Sequence, residues 1–122
     1  CMKDPTEGGL LQALNEIAEA SKVGYSIDEA PVPVEKETRR ICETLQVDPL
    51  KLISSGMLII TAPQKSEEQI IAAIEEVGVK AVRIGRVTEN GRNVKRIAGK
   101  TEAVEEFVAE ELWRALATAA KK

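Results

Sequence analysis

"KDPTEGGLLQALNEIAEAS", residues Lys3 to Ser21, decides how the rest of the chain is read. A proline turn, a threonine and two glycines lead straight into Leu10, Leu11, Leu14, Ile17 and Ala18. These fall on one face of a helix, and a helix with a single apolar stripe must pack on something flat. Asp4 to Gly9 admits two readings. In the first, Thr6 or Asp4 caps the helix and the glycines ease a sharp entry. In the second, the corner binds phosphate: glycine lets the backbone approach an anion, free N–H groups point outward, and the helix dipole adds partial positive charge. Asp4 would then hold a Mg²⁺ ion bridging phosphates, since that ion takes carboxylate oxygen and keeps most of its waters. The stretch is neither a Walker loop nor a dinucleotide fingerprint.

Working outward, "VGYSID" (23–28) reads as a strand, and "APVPV" (30–34) is a connector because its prolines restrict the backbone. From Val34, the positions Val34, Thr38, Ile41, Cys42 and Leu45 predict a second, amphipathic helix. "DPLKLISSG" (48–56) gives a short helical turn and a loop, from which "MLIITAP" (57–63) emerges as a buried strand. Ser54, Ser55 and Gly56 stand at the entrance of that strand, either as an ordinary loop or as hydroxyls and flexible backbone that meet a ligand. Ser66 and Gln69 form a capping box for a third helix with the stripe Ile70, Ile71, Ile74 and Val77, ended by Gly78. "KAVRIGRVT" (80–88), the turn "ENGR" (89–92) and "NVKRIA" (93–98) read as a hairpin. A C-terminal helix is expected from about Glu102 to Ala120, with Trp113 covering a core edge or a neighbouring domain. Strands separated by helices predict one α/β (α+β) domain over residues 1–122, a mixed sheet with packed helices.

Bulk properties narrow the function. A net charge of −3, with 17 basic against 20 acidic residues, offers no broad footprint for nucleic acid. No apolar run approaches the roughly 18 residues that span a bilayer, so no membrane partner is expected. Two cysteines and no histidine exclude a disulfide framework and a zinc pattern, and point to a reducing cytoplasm. Cys42, on an apolar stripe, reads as a core residue with no histidine to activate it. The basic run Arg92 to Arg96 either decorates a solvated hairpin or touches a partner or an acidic ligand. The first residue is Cys1, which suggests a piece of a longer polypeptide; alternatively Met2 is a start preceded by an artificial residue.

"MKDPTEGGLLQALNEIAEASKVGYSID", "PVPVEKETRRICETLQVDPLKLISSGMLII", "RVTENGR" and "EELWRAL" together resemble the C-terminal domain of the AIR synthase-related (PurM-type) superfamily. Within it they are most similar to the hydrogenase expression/formation (HypE-type) maturation factors and their relatives. The resemblance implies a two-domain subunit that forms a homodimer. An N-terminal ATP-binding domain of the same polypeptide supplies most of the ATP site, and this C-terminal domain closes over it. It further implies ATP and Mg²⁺ as cofactors of the full-length protein, with Asp4, Thr6, Gly8 and Gly9 facing the phosphates or substrate. In the maturation factor, ATP drives dehydration of a carbamoyl group carried on a C-terminal cysteine.

Two departures stand out: there is no cysteine after Cys42, and Glu7 replaces what is more often a basic residue. A related ATP-dependent enzyme of the superfamily, inactive as the isolated domain, is therefore the expectation. The alternative is a stand-alone, non-catalytic interaction module of the same fold.

Overall fold

Residues 1–121 are described in a computed structural model of the chain. The opening stretch forms helix α1 (Gly9–Ser21), which buries Leu10, Leu11, Leu14, Ile17 and Ala18 as its spacing predicts, together with Ala13 and Asn15. It stops where Lys22 turns left-handed (φ 54) and its N–H reaches back to the Ala18 and Glu19 carbonyls. The chain then enters strand β2 (Gly24–Asp28), whose Tyr25 and Ile27 join the aliphatic core with Val32, Leu50, Ile59, Val94 and Val108.

The main sheet is mixed, as expected, in the order β4-β2-β5-β6, with β4 (Gly85–Thr88), β5 (Arg92–Lys95) and β6 (Thr101–Ala103). β4 is antiparallel and β5 parallel to β2, and β6 is antiparallel to β5. The predicted hairpin is therefore corrected: β4 and β5 do not pair, because β2 lies between them. Residues 89–91 cross the start of β2, where Tyr25 N–H donates to the Gly91 carbonyl at 2.9 Å. Gly24 permits the crossing, since a Cβ there would run into the Asn90 and Gly91 backbone. A strand carrying two buried side chains gains more as the centre of the sheet than at its edge, and it takes both neighbours.

Three further expectations change. The buried strand over 57–63 shortens to β3 (Ile59–Ile60), paired antiparallel with β1 (Met2–Lys3) in a separate ribbon. There Ile59 is buried, while Leu58 and Ile60 are exposed. Helix α3 (Glu67–Glu76) forms, but Ser66 makes no side-chain cap and the isoleucine stripe is only half-buried; a 3₁₀ turn, Gln64–Ser66, leads into it instead. The C-terminal helix α4 begins only at Glu111 (Glu111–Ala120), because residues 101–103 join the sheet and 104–110 form an irregular segment bent at Glu106 and Phe107.

Helix α2 (Lys36–Leu45) buries Cys42 and leaves Ile41 and Leu45 exposed. Burial, and then Asp48, push the Cys42 thiol up, which fits a core residue rather than a nucleophile. Arg96 joins β5 to the loops around it, reaching Asp48 at 2.6 Å, Glu102 at 3.0 Å and the buried Glu29 at 3.7 Å. Arg92 pairs with Glu19 at 2.9 Å. The two arginines of the basic run thus hold the fold together, and a buried carboxylate such as Glu29 needs such partners. No helix among the described residues is long and apolar enough to cross a membrane.

Candidate functional site

The corner before α1 places Asp4, Thr6 and Glu7 at the surface around a buried Pro5. Gly8 and Gly9 both adopt left-handed backbone, φ 79 and φ 64, which only glycine takes without strain. The space of their missing side chains faces protein. A Cβ on Gly8 would lie 2.6 Å from the Val108 carbonyl, and one on Gly9 2.7 Å from that of Leu50. Gly9 N–H is spent on the Thr6 carbonyl at 3.0 Å. Of the amides at this corner, that of Gly8 turns outward to another group.

That group is a carboxylate. Glu110 Oε2 accepts from Gly8 N–H at 2.8 Å, while Oε1 accepts from Ile53 N–H at 3.2 Å and from Leu112 N–H at 3.0 Å. Amides from three separated segments therefore converge on one anionic side chain. The corner and the 50–53 turn are adjacent, and Ser54, Ser55 and Gly56 follow directly from Ile53. Ser54 is half-buried, and Ser55 and Gly56 are exposed; none of the three donates or accepts a side-chain hydrogen bond among the described residues.

Glu110 is delivered by the irregular segment 104–110, which runs antiparallel along α1. Asn15 Nδ2 donates to the Glu105 and Glu106 carbonyls at 2.7 and 3.2 Å. One turn earlier, Gln12 Oε1 accepts from Val108 N–H at 2.8 Å. Positions 15, 12 and 8 form one stripe of α1, so the strap is held step by step toward the helix N-terminus. Tyr25 Oη donates to Asn15 Oδ1 at 2.8 Å, locking the amide from below. Burial pushes the Tyr25 hydroxyl up to about 12, against a smaller opposing pull from Arg92.

Gln12, Asn15, Ile53 and Glu110 are site residues that no sequence motif marks. One signal was available: Asn15 is polar on an otherwise apolar helix face, and a buried amide needs partners. Asp4 is exposed, and no cluster of three metal-ligating side chains occurs among the described residues. Such a lone carboxylate fits Mg²⁺ only in the mode where phosphates and waters supply the remaining ligands. Two clefts are present, one of about 390 Å³ away from the corner beside Ser26, Asp28, Arg83 and Arg86, the other of about 510 Å³ along the strap, lined by Gln12, Asn15 and Phe107.

A family model described as "AIR synthase related protein, C-terminal domain" matches residues 1–97. Carbamoyl dehydratase HypE of Rhizobium leguminosarum bv. viciae is 40% identical over 88 residues, covering 70% of this chain and 25% of that protein. The HypE of Rhodobacter capsulatus is 37% identical over 117 residues, covering 92% and 34%. The crystal structure of the hydrogenase maturation protein HypE in complex with ATP superimposes with a TM-score of 0.79 at 32% identity, covering 93% of this chain and 37% of that one. The chain thus spans between a quarter and a third of the length of these curated relatives.

Proposed function

We propose, from the premise that this chain belongs to the AIR synthase related protein family as its C-terminal domain, that it closes a nucleotide-phosphate site in a HypE-like, ATP-dependent enzyme. The observation that carries this reading is the convergence of the Gly8 and Ile53 N–H groups on one anionic oxygen pair at the α1 N-terminus. Amides so aimed suit a phosphate as they suit a carboxylate. The likeness to a HypE solved with ATP supports the choice of nucleotide.

On this reading an N-terminal domain of the same polypeptide holds most of the ATP, and the assembly is a homodimer. Bound ATP supplies the phosphoryl group that activates an oxygen of the substrate. Gly8 and Ile53 N–H groups fix phosphate oxygens, and the exposed Thr6 and Ser55 and the half-buried Ser54 would supply hydroxyl donors. Asp4 would hold Mg²⁺ against the phosphates. No cationic side chain accepts this duty at Glu7, so charge neutralisation falls to the metal.

Asp4→Ala in the polypeptide encoded by the native gene tests the assignment. Loss of one interaction with a charged group predicts an increase of about tenfold in the KM for Mg-ATP. The melting temperature should stay unchanged, since Asp4 is exposed. An unaltered KM would remove Asp4 from the site. A second reading, a non-catalytic interaction module, is favoured by one observation: Glu110 already fills the amide corner. Failure of that full-length polypeptide to bind ATP would select it.

A further inference from the structure

We infer that the segment beginning at Glu110 is an intramolecular lid, whose carboxylate competes with a phosphate-bearing ligand for the Gly8 and Ile53 amides. The inference rests on the proposed phosphate role of that corner. Three observations carry it. First, the Glu110 carboxylate comes from a position 102 residues away from Gly8 and presents two oxygens to amides of both the α1 corner and the 50–53 turn. A dianionic or trianionic phosphate entering there meets both an occupied donor set and a like charge.

Second, the attachment is weak beyond one point. Val108 is buried at 3% exposure and its N–H is tied to Gln12, which anchors the strap up to that residue. Past it, α4 buries no residue completely. The described side-chain bonds that join it to the body are those of Glu110 and one from Arg114 Nη2 to the Gln46 carbonyl at 2.8 Å. An element with so little buried surface opens at low cost, on its own, without unfolding the core.

Third, the hinge is defined. Ala109 is exposed between the buried Val108 and Glu110, so rotation there withdraws the carboxylate while the Asn15 and Gln12 bonds to the strap remain. Withdrawal exposes two amides at once, and phosphate oxygens can take the place of both carboxylate oxygens. The lid is thus closed while Glu110 holds the two amides and open when phosphate oxygens take them.

Titration of this chain with inorganic pyrophosphate, followed at the Gly8 and Ile53 amide resonances, tests the idea. Glu110→Gln keeps the shape and removes the charge. Since hydrogen bonds to ionised groups are about twice as strong as neutral ones, its site-specific Kd should fall roughly tenfold below that of the unaltered chain. Glu110→Asp, one methylene shorter, serves if the glutamine variant does not fold. In the unaltered chain the emission of Trp113, the single tryptophan and three residues past Glu110, should change along the same binding curve. Equal affinities in the two chains, or a Trp113 signal that ignores binding, would overturn the lid and leave the phosphate corner standing. Absence of binding in both would overturn the lid, whose competition requires that these two amides take phosphate oxygens in this chain.

Discussion

Tyr25 and Asn15 show what single residues contribute to the site. Tyr25 is 4% exposed, and its hydroxyl is the donor that fixes Asn15, which in turn holds the strap. Tyr25→Phe leaves the Asn15 Oδ1 atom buried without that donor and should cost about 1–3 kcal/mol in urea denaturation at neutral pH. The hydroxyl, ordinarily near 10, is pushed up to about 12 in the fold. The native state therefore keeps its proton where the unfolded chain has lost it. Stability from this residue is complete below pH 10 and is lost as pH rises through 12, and Tyr25→Phe should abolish that alkaline dependence. An identical alkaline decline in the variant would assign it to other groups. At this scale the glycines of the opening corner were legible as special positions, but their reason was not. Both are required by their positive φ, and the carbonyls of Val108 and Leu50, which lie far along the chain, leave no room for a side chain at either position.

Elements were legible in proportion to how local their causes are. Helix α1 follows from its own spacing, and so does the existence of α2 and α3. The β4–β5 pair was misread because "ENGR" satisfies hairpin chemistry locally, whereas β2 intervenes through pairings set by the whole sheet. The C-terminal helix was misread for a similar reason. Residues 104–110 have helical spacing, yet Asn15 and Gln12 take their backbone groups and no helix forms there. Amides of α1, with eight buried residues, should exchange with solvent only through global unfolding. Those of α4, with none buried, should exchange through a local opening of much lower free energy. Equal protection of the two helices in native-state hydrogen exchange would contradict the loose attachment on which the lid depends.

For the molecule as a whole, the site is a product of assembly. Gly8, Ile53 and Glu110 meet only because α1, the 50–53 turn and the strap pack around one aliphatic core. The family was readable from the corner and its helix, whereas the occupant of the corner was not, since nothing in "EELWRAL" announces that its first residue travels back to Gly8. A net charge of −3 gives the chain no long-range attraction for a nucleotide, so the proposed phosphate binding would rest on oriented amides. The most direct measurement is a crystal structure of the polypeptide encoded by the native gene, with Mg²⁺ and a non-hydrolysable ATP analogue. The account predicts phosphate oxygens within about 3 Å of the Gly8 and Ile53 nitrogens and Glu110 withdrawn from both. A bound nucleotide with Glu110 still holding those two amides would contradict it.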